Sequence, residues 1–489
     1  MFGIYITGMA FFAMIFMMMT SGCSRSGKSS QRVTDSVFVR NDSLDPGIPD
    51  DYRKIAAFKY HDRWGTHNVH DPSCIKTGQW YYLYSTDVAF GWRNLKRVGI
   101  QIRKSKDLVH WQFVGWAFNG IPGEAEKYVC KVNNGKSPRN MWAPYIMKVG
   151  NVFRLYYVVS VFGSNASYIG LATSKFPEGP WKQLGSVVKT THLDKMNAID
   201  PTVAINHKNG KYWMIYGSYF SGIYAVELNP TTGLTKKTND KGKLIARRNG
   251  QDLGKKRAYI EGPEVIYNPK LKKYYLFLSY GPLMTTYNIR VGRADKPDGP
   301  YTDYHGYNLI SPIDNFPIII HPYKFDNHPG WNGTGHCAML RVGDKYFILH
   351  QGRLAPQNRM MDLHVRRILW TKHGWPIASP ERFDNVTQYP VKRNEIEGEW
   401  ENIILNPDST VDHSNHIRVM ANGKLEGFGK YRTWSLDGDT LKFTSTNGNT
   451  TVSLQLLRAW DWENHERTIV YTGLNNQGIG IWGKYRSRN

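Results

Sequence analysis

The sequence predicts an all-β chain, a five-bladed β-propeller with a C-terminal small β-barrel domain. Two observations carry this. A short polar motif returns five times, at intervals of about 57 to 73 residues, and a repeat of that length signals an array of like units. Each copy is followed by an aromatic run and a second strand pair, with turns rich in Gly, Pro, Asp and Asn, as hairpin loops require.

In chain order, the first copy is His70-Asp71-Pro72, followed by Tyr81-Tyr82-Leu83-Tyr84-Ser85. The second is Trp142-Ala143-Pro144, followed by Leu155-Tyr156-Tyr157. Ile199-Asp200-Pro201 leads to Tyr212-Trp213-Met214-Ile215-Tyr216, and Glu261-Gly262-Pro263 to Tyr274-Tyr275-Leu276-Phe277. The last, Gly335-His336, leads to Tyr346-Phe347-Ile348-Leu349. The second halves run through Val98–Ile102, Ile169–Thr173, Gly222–Val226, Ile289–Arg293 and Leu363–Arg366. One unit is therefore about four short strands, and four-stranded units around an axis make a propeller. A β-sandwich has no reason to begin every unit with the same polar motif.

The repeat also locates a site. The first strand of each blade lines the central channel, so equivalent positions meet at one end of it. Asp71, Asp200, Glu261 and His336 hold nearly equivalent positions, with Trp142 in the second unit. A single Asp-Pro is an ordinary turn, but three carboxylates in phase across separate repeats point to chemistry.

The chain has 489 residues. Residues 1–22 read as a signal peptide of lipoprotein type: the apolar run from Ile4 to Met19 is short for a membrane span, and Thr20-Ser21-Gly22 precede Cys23. Cys23 would carry the lipid, placing an exported protein on a membrane, facing the periplasm or the cell surface. Residues 23–50 lack periodicity and read as a flexible tether. The propeller is assigned to residues 51–390 and the barrel to 391–489, where Asp437-Gly438 and Asn447-Gly448 mark tight hairpins. Cys74, Cys130 and Cys337 are odd in number and lack metal-ligand spacing; a Cys74–Cys337 bridge and buried free thiols both remain open. The formal charge is +23, yet Lys and Arg are scattered and no nucleic-acid motif occurs. No nucleic-acid partner is expected; an anionic polysaccharide or lipid suits an exported protein better. Aromatics reach 13%, enough for blade cores and for faces that stack on sugar rings.

Two carboxylates flanking a sugar can hydrolyse a glycosidic bond, one as acid and one working from the opposite face. A third can raise the acid's pKa and orient it. A serine nucleophile lacks its elbow motif, and a catalytic zinc lacks a third ligand beside His70 and His336. His70 itself reads as a support for Asp71.

Val69-His70-Asp71-Pro72-Ser73, Trp142-Ala143-Pro144, the stretch Ser160–Ser174, Ala198-Ile199-Asp200-Pro201, Tyr216–Ile223 and Ile260-Glu261-Gly262-Pro263 together resemble glycoside hydrolase family 43, and within it the endo-1,5-α-L-arabinanases. The likeness runs from about residue 60 to 380. The tail, with Gly398-Glu399-Trp400 and Ile481-Trp482-Gly483-Lys484, is similar to the C-terminal barrel of the two-domain members. The resemblance implies an inverting hydrolase of arabinan, acting as a monomer. It places Asp71 as general base, Glu261 as general acid and Asp200 as the carboxylate that tunes and orients the acid. It puts Trp142, Phe162, Asn197 and Ser218 along the arabinose subsites, and His336 beside a calcium ion in the channel. Cys337-Ala338 stands where relatives often carry small polar residues. An exo-acting arabinofuranosidase or β-xylosidase on the same scaffold, and a non-catalytic carbohydrate-binding lipoprotein, are the alternatives. The small, polar loop Ser160–Ser167, with Phe162 its only large ring, favours an open groove and internal cutting.

Overall fold

The computed structural model describes residues 45–88, 99–248, 259–311, 313–357 and 359–487. The signal segment, Cys23 and the tether up to residue 44 lie outside the described residues. The end of the expected tether is fixed: Asp50 is paired with Arg382 at 2.7 Å and with His328 at 3.1 Å.

The first blade contains β1 (Ser73–Thr77), β2 (Trp80–Ser85), β3 (Gln101–Ser105) and β4 (Trp111–Trp116). A helix, α1 (Gly123–Val132), which the repeat pattern did not indicate, precedes the second blade. That blade is β5 (Met141–Val149), β6 (Val152–Val159), β7 (Tyr168–Ser174) and β8 (Lys182–Lys189). The third is β9 (Thr202–Ile205), β10 (Tyr212–Tyr216), β11 (Ile223–Leu228) and β12 (Lys243–Ala246), and the fourth β13 (Ile260–Asn268), β14 (Lys273–Tyr280), β15 (Asn288–Ala294) and β16 (Ile318–Ile320). Each is a separate antiparallel sheet in sequential order. The aromatic and β-branched runs suit pleated, buried strands. Two inner hairpins turn through a two-residue loop starting at Gly78 (φ +60°) and Gly150 (φ +57°), a backbone region glycine enters freely.

The expectation of five blades is corrected here: among the described residues four are present, not five. The fifth repeat is absorbed into a seven-stranded sheet. Its strands are β17 (Tyr323–Lys324), β18 (Trp331–Asn332), β19 (Cys337–Val342), β20 (Lys345–Leu354), β21 (Met361–Trp370) and β22 (Pro376–Ala378), joined by β24 (Asp412–His413). The cause is strand length. β20 and β21 have 10 residues each. The first half of β20 pairs with β19, and its overrun pairs with β18, which leads on to β17 and the parallel strand β24. The inner strands β1, β5, β9 and β13 stand side by side, and β19 lies between β13 and β1.

The C-terminal part also departs from a closed barrel. β23 (Gly398–Ile404), β25 (Asn415–Val419), β26 (Leu425–Glu426), β27 (Tyr431–Asp437), β28 (Thr440–Ser445), β29 (Thr451–Asp461), β30 (Glu466–Leu474) and β31 (Gly480–Ser487) form one antiparallel sheet ordered β26-β25-β23-β31-β30-β29-β28-β27. It curls until its edges meet at an isolated bridge between Lys424 and Thr433, so it is a near-barrel without a closing ladder. Trp400, Phe443, Leu454 and Tyr471 fill it. Ile403, Leu474 and Trp482 belong instead to the core beneath the seven-stranded sheet, with Tyr323 and Trp331. Cys74, Cys130 and Cys337 are free thiols.

Candidate active site

Just before each inner strand, or within its first three residues, lies a residue in the left-handed region. These are Asp71 (φ +49°), Ala143 (+31°), Asp200 (+55°), Gly262 (+56°) and His336 (+49°). For a non-glycine residue this conformation is costly and collects at functional sites. Four of these residues have their amide held by a side chain from a neighbouring unit. Ala143 N–H donates to Thr86 Oγ1 at 2.8 Å, Gly262 N–H to Asp200 Oδ2 at 3.1 Å, His336 N–H to Ser279 Oγ at 2.8 Å, and Asp71 N–H to Gln351 Oε1 at 3.0 Å. The strained entries are thus cross-braced around the axis, and the braces bring Asp71, Asp200, Glu261 and His336 into one electrostatic cluster.

Asp71 is buried. Its Oδ1 lies 2.9 Å from His336 Nδ1, and its Oδ2 lies 2.6 Å from His70 Nδ1. The Thr86 hydroxyl donates to the same Oδ2 at 2.6 Å. Burial alone would raise its pKa, but the two imidazoles outweigh it and hold Asp71 well below the ordinary carboxylate range. His70 is turned by Arg353, whose Nη2 lies 2.7 Å from its Nε2. Burial keeps His70 low, so it supports Asp71 as a neutral ring. His336 behaves oppositely: burial lowers it, yet Asp71 first, then Asp200 and Glu261, push it up to about 9.

The other two carboxyls shift upward. Burial is the larger cause for both Glu261 and Asp200. Their mutual repulsion and the charge on Asp71 add to the rise, which takes Asp200 up to about 8. Two buried acids this close titrate as a pair, so near neutrality they keep a proton between them while Asp71 is ionised. Ser218 Oγ–H donates to Glu261 Oε2 at 2.6 Å.

The remaining expected residues are placed as follows. Trp142 is half-buried, its Nε1–H donating to Asn140 Oδ1 at 2.9 Å. Asn197 is buried, and its Oδ1 accepts from Ser167 Oγ at 2.7 Å. Phe162 is 86% exposed, so its ring is open to solvent and plugs nothing. The sequence reading passed over Thr86, Ser279, Gln351, Arg353 and Tyr287. For Thr86, Ser279 and Gln351 a signal existed: each lies just after or in the last part of the second strand of its unit, where the aromatic and apolar run gives way to polar residues.

A calcium ion at His336 must be tested against the donors present. Ca²⁺ takes six to eight oxygens, and among the described residues no group of three potential ligands gathers there; the one such group is Glu381, Asp461 and Glu463. The Asp71 contact does commit Nδ1 of His336 and leaves Nε2 as its free ring nitrogen, the usual way a carboxylate orients a ligating histidine. The donors therefore fit an ion held by one protein nitrogen and otherwise by water, and do not fit a protein cage.

Comparison with known proteins places these observations. Residues 65–376 match the model of glycosyl hydrolases family 43, and residues 380–483 match a C-terminal lipocalin-like domain. The chain is 30% identical over 465 residues to an extracellular endo-α-(1→5)-L-arabinanase of Thermotoga petrophila, covering 86% of this chain and 94% of that one. It is 30% identical over 341 residues to an extracellular exo-α-(1→5)-L-arabinofuranosidase of Cellvibrio japonicus, covering 66% and 90%. A solved structure of an endo-1,5-α-L-arabinanase from Thermotoga petrophila superposes with a TM-score of 0.74 at 28% identity, covering 87% of this chain and 99% of that one.

Proposed function

This chain belongs to glycosyl hydrolase family 43, and from that premise we propose that it is an endo-acting hydrolase of α-1,5-linked L-arabinan that works by inversion. The observation that carries the reading is the opposite titration of carboxyls in one cluster: Asp71 is held ionised, while the Glu261–Asp200 pair retains a proton. Inverting hydrolysis needs such a base and such an acid on opposite sides of the sugar. Asp71 takes a proton from water as that water attacks the anomeric carbon. Glu261 protonates the departing glycosidic oxygen. Ser218 occupies Oε2, which leaves Oε1 to carry the proton. Asp200 shares the pair's proton with Glu261, which lets Glu261 carry it, and braces the backbone at Gly262. The open face of Phe162 and the half-buried Trp142 suit a furanose ring on each side of a groove.

The endo mode is supported by similarity that runs through both domains of the endo-acting relative, whereas the exo-acting relative matches 66% of this chain. Viscometry on linear arabinan tests it. Viscosity is expected to fall before much reducing sugar appears, with short oligosaccharides as products. Monomeric arabinose as the first and main product would replace this reading with an exo-acting one.

A hydrated calcium beside His336 is part of the proposal. Bound there, it would supply positive charge that favours the ionised form of Asp71. Without it, the imidazolium of His336 carries that charge. Exhaustive chelation is expected to lower both activity and melting temperature, and calcium to restore them; no change in either would remove the ion from the scheme.

Export is supported by the extracellular relatives, and a lipid on Cys23 by the small residues before it. Cys23→Ser is expected to move the protein from the membrane fraction to the soluble one. An unchanged distribution would argue against the anchor.

A further inference from the structure

Tyr287 stands at the entry of β15, one residue before Asn288, which pairs with Tyr280 of β14. Across β14, Tyr280 pairs with Ile260, the residue before Glu261. Tyr287 and Glu261 therefore share one end of the fourth blade. The Tyr287 side chain is fully buried. Its hydroxyl stands near enough to the Glu261 carboxyl to act on it as a donor, but at rest it makes no hydrogen bond of ordinary geometry. A buried phenol ordinarily has one. Its ring is held in place rather than loose: a Cβ on Gly335 would lie 2.2 Å from Tyr287 Cδ1, and Thr334 Oγ1–H donates to the Tyr287 carbonyl at 3.1 Å. Glycine at 335 thus admits a ring whose polar end is unsatisfied at rest. Burial first, and then the charges of Glu261, Asp200 and Asp71, keep the phenol well above its ordinary pKa, so it remains a donor. The hydroxyl in turn favours the ionised form of Glu261.

We propose that Tyr287 is a positioning residue of the reaction, its hydroxyl completing a hydrogen bond to the Glu261 carboxylate as that group gives up its proton. The inference rests on Glu261 being the general acid. In the step, the Glu261 O–H bond breaks and its proton passes to the glycosidic oxygen. The bond from that oxygen to the anomeric carbon breaks with its electron pair going to oxygen, and water bonds to the carbon while Asp71 takes its proton. Glu261 is left as a buried anion for which, among the described residues, Ser218 is the one donor at full hydrogen-bond distance in the resting site. Tyr287 closes in as the second donor and keeps its own proton, so a contact that is loose at the start of the step tightens as charge develops, which is where a donor lowers the barrier.

Tyr287→Phe keeps the ring against Gly335 and strands no partner, so the fold is expected to persist, with an unchanged melting curve. On linear arabinan, kcat is expected to fall about 10- to 100-fold, the range for a hydrogen bond to a charged group, with KM little changed. On an aryl arabino-oligoside whose phenolate leaves without protonation, the fall is expected to be far smaller. A merely structural role would lower both substrates alike; that result, or an unchanged kcat on arabinan, overturns the inference. Glu261→Ala run in parallel separates the two readings. If it is inactive on arabinan while Tyr287→Phe equals the wild type, the inference alone fails; if it retains arabinan activity, the acid assignment fails and takes the inference with it.

Discussion

Asp71→Ala and Glu261→Ala are each expected to lower kcat on arabinan by about 10²- to 10⁴-fold, the usual worth of one positioned acid or base. The two losses differ in kind. An aryl substrate with a good leaving group needs no proton from Glu261, so it is expected to restore much of the rate of Glu261→Ala and none of that of Asp71→Ala. The alkaline limb of the pH profile has the same origin. Glu261 works only while protonated, and its pKa is raised by burial and by the charges around it. Activity is therefore expected to persist above the ordinary glutamate pKa and to fall as the Glu261–Asp200 pair loses its proton. With the aryl substrate, Glu261→Ala is expected to lose that limb. Proton NMR of the first product checks the stereochemistry, and a retained anomer would contradict the water-activating role of Asp71. Glu261→Ala is expected to leave the melting temperature nearly unchanged, whereas Asp71→Ala strips the partner from His336 and His70 and is expected to lower it without unfolding the protein at assay temperature; unfolding in both would leave the roles unsupported.

The carboxyls of the candidate site were legible because they sit in a repeat. Asp71, Asp200 and His336 occupy one structural position in three units, and the repeat displayed that position without any coordinates. Glu261 and Trp142 lie one residue ahead of it, at Gly262 and Ala143, which is why "nearly equivalent" was as far as the pattern reached. The braces were less legible. Thr86 and Gln351 act across units on amides of Ala143 and Asp71, and a pairing between separate repeats has no local signature. Tyr287 looked like one more blade aromatic. The count of blades went wrong for a related reason. The fifth unit has the same motif and the same aromatic run as the others. What differs is the length of β20 and β21 and the extra pairing partners supplied by β17, β18 and the distant β24. Periodicity reports what a strand is made of; it does not report where its ladder stops.

Lys484→Met is expected to destabilise the protein by about 3–5 kcal/mol, the range for removing one partner of a buried ion pair. Lys484 is fully buried in β31, with Nζ 2.9 Å from Asp461, 2.7 Å from Glu463 and 3.2 Å from Glu381. Its ammonium also lies over the Phe325 ring, 4.2 Å from the centroid. Asp461 ends β29 in the C-terminal sheet and Glu463 follows it, Glu381 lies just past β22, and Phe325 just past β17. The knot therefore ties the near-barrel to the seven-stranded sheet at the centre of their shared packing. Burial would raise Glu463, but Lys484 outweighs it and holds that carboxyl far below its ordinary range. Burial, and then the charge of Glu463, keep Glu381 well above its own. A methionine fills the space of the lysine stem and leaves the carboxyls without their cation. To stay folded they must then take up protons that the unfolded chain has released. Their folded pKa values would be raised above the unfolded ones, so the variant's stability is present at low pH and is lost as pH rises above the unfolded carboxylate range. The difference in melting temperature between wild type and Lys484→Met is accordingly expected to be large at pH 8 and much smaller near pH 5. A deficit of the same size at both values would mean that lost packing, and not stranded charge, sets the cost; no deficit at pH 8 would mean that the apolar core between the two sheets holds them together unaided.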